Sequence, residues 1–148
     1  MFLNKQTYIE NKDLNKYTLE EYLSFTSGFK SSFKPFVVKE VNGFNVIDES
    51  EACSVGYKAR SAEFLMQQLQ ELNVKHIVYV QPRRGYAGIS LAWLCKEYNM
   101  KLTLIMPASK EVSDHQALCI ELGAEAKFVR IAAMPNANKY AKEYADNI

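Results

Sequence analysis

The stretch ESEACSVGYKARSAEFLMQQL, residues 49–69, sets one lysine, Lys58, between a glycine-bearing loop and an apolar helical pattern. An amine there is either a solvated charge in a helix's first turn or, if water is kept from it, a nucleophile for a carbonyl. Arg60 does not share its face, because a two-residue offset points away on a helix. The residues alone leave both readings open. The second candidate is QPRRGYAGIS, residues 81–90. Gly85 and Gly88 bracket a turn from strand into helix, where glycine lets backbone approach a ligand and free N–H groups favour an anion. Arg83 and Arg84 set two cations beside that turn. The same residues also read as an ordinary turn with solvated arginines. The spacing lacks the G-x-G-x-x-G of dinucleotide sites and the Lys-Ser/Thr of a P-loop. No acidic ribose ligand stands at a strand end, which argues further against a nucleotide site.

The elements that must position these residues follow from periodicity. Thr18 followed three residues later by Glu21 is a capping box, so a short helix is expected from Leu19 to Phe25. SGFKSSFKP reads as a loop ended by Pro35. FVVKEVNGFNVIDE forms two β-prone runs around Asn42-Gly43, a dipeptide suited to a tight hairpin turn. Residues 50–57 are expected to be a loop. Ala62, Leu65, Met66, Leu69 and Leu72 recur at helical spacing and mark a helix over 58–73. HIVYVQ at 76–81 and KLTLIMP at 101–107 are short apolar runs, as expected of strands covered on both faces. Helices are expected over 85–98, 113–122 and 136–147, the second stopped by Gly123. In the last, Ala137, Tyr140, Ala141, Tyr144 and Ala145 share a face. AKFVRI at 126–131 is a further strand. Alternation of strand and helix with short connections argues for a mostly parallel sheet with helices on both faces: a three-layer α/β fold. In such a sheet a ligand sits outside the carboxyl ends of the strands, the edge reached by residues 81–88 and 106–113.

Composition narrows the function classes. The chain has 148 residues, enough for a real core, and 18 basic against 17 acidic residues give a net charge of +1. That balance offers no case for nucleic acid or an anionic membrane as partner. No apolar run approaches the roughly 20 residues of a bilayer span. The first residues are too polar and acidic for a secretory or transit signal. Cys53, Cys95 and Cys119 are odd in number and widely spaced, which points to reduced thiols and a cytoplasmic compartment. His76 and His115 are far apart in sequence, and no metal-ligand set is evident.

FNVIDESEACSVGYKARSAEFL, residues 44–65, resembles the lysine region of the fold-type II pyridoxal-phosphate enzymes, the tryptophan synthase β-like group. In that family a strand ending in Lys-Asp-Glu leads through a loop to Gly-Ser-x-Lys-x-Arg and a helix. Here Ile47-Asp48-Glu49-Ser50 is followed by Ser54-Val55-Gly56-Tyr57-Lys58-Ala59-Arg60. HIVYV, RRGYAG, ISLAWLCKEYNM and KLTLIMP then take the places of the family's strand, glycine turn, helix and IVMP strand. VSDHQALCIELGAEAKFV follows the family's next helix, its LGAE ending and the strand after it. The resemblance covers residues 34–148. It implies the Rossmann-like small domain of such an enzyme, preceded by an N-terminal arm over 1–34 with its short helix, the α/β domain spanning 35–148.

The resemblance also implies pyridoxal 5'-phosphate as cofactor, carried by Lys58, with the helix from Gly85 beside its ring. Arg84, Gly85, Tyr86 and Gly88 then belong to the cofactor side. The chain departs from the family at these positions. Tyr86 stands for the turn asparagine, Arg83 and Arg84 for serines, Ala87 for histidine, and Gly56 for the serine before the aromatic. Family members run about twice this length, and their second half carries the phosphate cup. The chain is therefore expected to be the N-terminal part, or a truncated relative, of an amino-acid lyase, deaminase or synthase. It would be completed by a complementing large-domain chain or act as a homodimer, with a small amino acid or anion as ligand. The alternative is a non-catalytic binding or interaction module derived from that fold, with an anion site at Arg83–Gly88.

Overall fold

The computed structural model describes residues 18–49, 53–130 and 133–148. Residues 1–17 of the expected arm, 50–52 of the expected loop and Ile131 at the expected strand end lie outside the described residues. In chain order the elements are α1 (Leu19–Thr26), β1 (Val37–Val41), β2 (Phe44–Asp48), α2 (Lys58–Glu71) and β3 (His76–Val80). They continue with α3 (Ala87–Glu97), β4 (Lys101–Pro107), α4 (Asp114–Glu121), β5 (Glu125–Val129) and α5 (Met134–Asp146). The expected elements are all present, with ends shifted by a few residues.

Local chemistry sets most of those ends. Thr18 and Glu21 form the reciprocal capping box of α1. Ser113 and Gln116 form a second one at α4, an S-x-x-Q signal that the sequence reading passed over. Three helices stop in the same way. Asn73, Asn99 and Gly123 take positive φ values of 57°, 52° and 100° just past α2, α3 and α4. The next residue's N–H then reaches back: Val74 to Leu69, Met100 to Cys95, Ala124 to Cys119. These are Schellman endings, and asparagine is the common stand-in for glycine there. Asn42 and Gly43, both with φ > 0, make the expected hairpin turn.

β3, β4 and β5 form a parallel sheet in that order. On β4, Leu102, Leu104 and Met106 join the main core with Ile89, Leu94 and Cys95 of α3, while Ile105 belongs to the opposite face. That face is covered by α5, whose Ala137 and Ala141 are buried and which packs on β3 and β4. Tyr140 and Ala145, expected on the same face, are exposed, so the buried stripe of α5 is narrower than its apolar pattern. Right-handed crossovers from β3 to β4 and from β4 to β5 put α3 and α4 on one side, with Cys119 of α4 in the main core, and α5, which follows β5, packs on the other. β4 is buried from Leu102 to Met106, but β3 is only half-buried along its length. The expectation that β3 is covered on both faces is corrected: it is an edge strand of the described sheet.

The segment before the hairpin is tied to α2 and α3. Glu63, 1% exposed, accepts from Ser31 Oγ at 2.6 Å and from Ser32 N–H at 2.8 Å. Phe29 meets Phe64 edge-on and Phe33 packs on Trp93. Arg60 donates to Glu49 at 3.0 Å and to Lys34 O, with its guanidinium over the Phe33 ring. Arg60 thus anchors the base of the hairpin, a role that its spacing from Lys58 did not disclose. Beyond that anchor the hairpin is exposed on both faces, with Val38, Phe44 and Ile47 more than half exposed.

At the far edge of the sheet Glu125 bridges Lys101 at 2.8 Å and Lys127 at 3.3 Å. The hydrogen bonds from Lys101 and then Lys127 hold its carboxyl down to about 2, from an ordinary 4.5. A depressed carboxyl stabilises the fold above its unfolded pKa, and that contribution fades as pH falls toward the folded value. Burial, then the Lys101 ammonium, lowers the His76 imidazole from its ordinary 6.5. Its contribution is likewise present above 6.5 and is lost as pH falls. Thermal melts from pH 7 to 2 are expected to show one loss beginning near pH 6.5 and a second between 4.5 and 2. Glu125→Gln should remove the second step and move the first to lower pH, because the Glu125 carboxylate opposes the lowering of His76 by burial and Lys101; a variant curve parallel to wild type throughout would contradict the assignment.

Candidate functional site at the carboxyl edge of the sheet

Two loops meet at the carboxyl ends of the strands. The first leads into α2. Gly56, at φ +92°, turns the chain so that Tyr57 and Lys58 start the helix. Cys53 beneath it is buried, with Sγ 3.0 Å from Gly56 O, and burial pushes its thiol up. Cys95 and Cys119, pushed up by burial to about 12 and about 11, are equally poor nucleophiles.

The second loop leads into α3 and is organised by Gln81, which is fully buried. Its Nε2 donates to Gly85 O and its Oε1 accepts from Gly88 N–H, both at 2.8 Å. Gly85, at φ +151°, allows the turn. Gly88 is needed for a different reason: a Cβ there would stand 2.3 Å from Gln81 Oε1. One N–H at the start of α3 is therefore already satisfied from within the chain. Gln81 was not among the residues the sequence singled out. A glutamine ending an apolar run was the available signal.

Ser113 ties this loop to α4. Its Oγ donates to Arg83 O while the Gln116 N–H donates to it. Arg83 donates weakly to Glu111 O, at 3.4 Å, and is exposed, as is Arg84. Tyr86 is exposed and stands edge-on to His115, with ring centres 5.1 Å apart.

The two loops touch. A Cβ on Gly56 would lie 3.3 Å from Tyr86 Cβ and 3.6 Å from Ser90 Oγ. Ser90 Oγ itself donates to Val55 O at 2.6 Å. Lys58 lines an open hollow of about 650 Å³ together with Ala87 and Ser90 of α3. The structure thus brings Lys58 to the side of the molecule that carries residues 85–88. Lys58 is exposed, so water would have to be kept from its amine by protein beyond the described residues.

Comparison with solved structures decides the fold. A hydrogen sulfide-producing enzyme from Fusobacterium nucleatum superposes with a TM-score of 0.63 at 21% identity, over 77% of this chain. The fold is that of the small domain of the fold-type II pyridoxal-phosphate enzymes. A second hydrogen sulfide-producing enzyme, solved with an alpha-aminoacrylate intermediate, matches 70% of the chain with a TM-score of 0.57 at 21% identity. An O-ureido-L-serine synthase bound to O-ureido-L-serine matches 70% with a TM-score of 0.54 at 20% identity. The chain spans only 39%, 32% and 33% of these three proteins. No family model matches the sequence, and no curated protein matches it significantly. Among the described residues no helix is long and apolar enough to cross a membrane.

Proposed function

We propose that this chain is the lysine-bearing portion of a pyridoxal-phosphate enzyme acting on a small amino acid, with Lys58 as the residue that carries the cofactor. The observation behind this reading is the placement of Lys58, in this fold, in one hollow with the first turn of α3. The names of two similar structures, with hydrogen sulfide production and an alpha-aminoacrylate, speak for elimination or replacement at the β-carbon, with deamination as the related outcome.

The fit to the cofactor can be tested on this chain's own groups. Lys58 offers an accessible amine, and the Tyr86 and Arg84 side chains stand exposed on the neighbouring turn. Gly85 and Gly88 shape that turn, and Gly88 N–H is already used by Gln81. When bound, the cofactor supplies an electron sink. Lys58 Nζ would hold it and then take and return the substrate's α-proton. A phosphate cradle and a cover over Lys58 would come from a further portion of the enzyme.

Titration with pyridoxal phosphate should give a visible absorption band in wild type and none in Lys58→Ala. Borohydride reduction should leave an adduct on the Lys58 peptide alone. An equal band in Lys58→Ala, or adducts scattered over surface lysines, would sink the assignment. One observation favours a second reading, a non-catalytic module: Gln81 fills the turn that would otherwise face a ligand. A chain that takes no cofactor, yet shifts its Gly85 and Tyr86 amides with inorganic phosphate in an Arg84-dependent way, would be that module.

A further inference from the structure

A row of polar side chains crosses the sheet at its amino end, the end opposite the Gly85 turn. His76 starts β3, Thr103 lies two residues into β4, and Glu125 starts β5. Thr103 is in register with Val78 on one side and with Glu125 on the other, so alternation puts all three side chains on the face that α5 covers. Thr103 is fully buried and is the one polar side chain in the buried run Leu102–Met106. A hydroxyl in that place must be hydrogen-bonded. Its oxygen lies 2.8 Å from His76 Nε2 and 3.4 Å from Glu125 Oε2. A hydroxyl has a single hydrogen, so it cannot donate to both.

Distance and competition decide where that hydrogen goes. Glu125 Oε2 already accepts from Lys101 at 2.8 Å and Oε1 from Lys127 at 3.3 Å. His76 Nε2 is closer and meets no other donor among the described residues. The hydroxyl therefore serves Nε2, which leaves the ring's own hydrogen on Nδ1. When a proton from solvent binds Nε2, that nitrogen becomes a donor. The Thr103 oxygen accepts from it, and the hydroxyl hydrogen has to leave. Glu125 Oε2 is the acceptor within reach, and a carboxylate makes such a bond short and strong. The charged groups around the ring are Lys101, its register partner on β4, and Glu125 and Lys127 on β5. From α5 come Tyr144, at the Lys127 ammonium, and Lys142, beside Val78 and Val80 and paired with Asp146. Lys75 precedes the ring in the chain, and the α2 side presents Leu69 and Val74. Burial and then Lys101 lower the imidazole while Glu125 raises it, which fits a carboxylate acting on the ring across Thr103.

We propose that Thr103 is a proton-driven hydroxyl switch, donating to His76 while the ring is neutral and turning to Glu125 when the ring is charged. In the charged state the row runs one way, from His76 on β3 through Thr103 on β4 to Glu125 on β5. Glu125 is also the carboxylate that holds Lys127, whose ammonium lies 4.8 Å from the centre of the Tyr144 ring on α5. The charge on an edge strand is thereby passed to the helix that covers the sheet. The switch does not depend on the cofactor reading.

The test is a pH titration of the isotope-labelled full chain, followed by NMR. Ring nitrogen shifts should show neutral His76 with Nε2 bare and Nδ1 protonated. Glu125→Gln should lower the His76 midpoint, and in a Thr103→Val background it should move the midpoint by about half as much or less. The Tyr144 amide should show a step at the His76 midpoint in wild type and in Thr103→Ser, which keeps the hydroxyl, and should lose it in Thr103→Val. If Thr103→Val does not melt cooperatively, Thr103→Ala against Thr103→Ser makes the same comparison. A neutral ring protonated on Nε2 overturns the switch, since the hydroxyl then faces Glu125 in both states. An equal effect of Glu125→Gln in both backgrounds also overturns it, because a charge acting through space does not need the hydroxyl. A Tyr144 amide without a step at the His76 midpoint in wild type overturns the link to α5.

Discussion

Gly88→Ala is expected to cost about 2–4 kcal/mol of folding stability, from overpacking and from lost buried hydrogen bonds. The new methyl would stand 2.3 Å from Gln81 Oε1, 2.7 Å from its Cδ and 3.0 Å from its Cγ. The tip of a glutamine normally gives way cheaply, but this one is fully buried and bonded at both ends. Moving it takes the partner from the Gly88 N–H and the Gly85 C=O. Urea denaturation should show a lower midpoint at an unchanged slope. The clash is pairwise, so Gly88→Ala should cost much less in a Gln81→Ala background, where the obstructing side chain is gone. Gly28→Ala, with nothing within 4 Å of the added methyl, is the control and should stay within about 0.5 kcal/mol of wild type. A Gly88→Ala cost as small as the control's, or one indifferent to Gln81, would show that the turn is not held in this way. Because the same turn carries Tyr86 and starts α3, the site should lose its shape along with the stability.

Glu63→Ala is expected to cost about 2–3 kcal/mol, the range for a buried charged group's lost hydrogen bonds. Both carboxylate oxygens are used, one by Ser31 Oγ and one by Ser32 N–H, and the residue lies 1% exposed in the middle of α2. The pair closes a separation of 31 and 32 residues and seats Phe29 and Phe33 against α2 and α3. Alanine leaves the Ser32 N–H and the Ser31 hydroxyl without their shared partner. Glu63→Gln should lose only about 1 kcal/mol, since its oxygen still accepts from Ser32 and its amide can donate to the Ser31 hydroxyl. The loop should show the change first: the Ser32 amide exchanges quickly in Glu63→Ala while Leu104 in the central strand keeps its protection. Equal stability of the alanine and glutamine variants would mean that packing of the phenylalanines, not the carboxylate, holds the segment.

Much of the fold was legible because it depends on neighbours in sequence. The Thr18–Glu21 box, the Asn42-Gly43 turn, the Gly123 stop and the run of Lys101–Pro107 each act over a few residues, and each appears where its chemistry put it. The S-x-x-Q box at Ser113 and the asparagine stops at Asn73 and Asn99 were equally local and could have been read. The loop of Gly56 and the turn of Gly85 could be named as candidates from their glycines, but not joined. Their contact through Tyr86 and Ser90 needs α2 and α3 to pack side by side.

Residue types and short spacings determined the elements, their order and an alternation that admits a parallel α/β sheet with Lys58 and Gly85 at helix starts. Only the tertiary structure decided that Glu63 closes on Ser31, that Arg60 anchors the hairpin, and that Gln81 fills the turn at Gly88. It also separated two strands that read alike. HIVYV and KLTLIMP are both apolar runs, yet one lies open at an edge and the other is buried at the centre. An apolar run records a preference for the extended state and for burial. A strand's neighbours are set by which way each crossover turns, and that is a property of the whole chain.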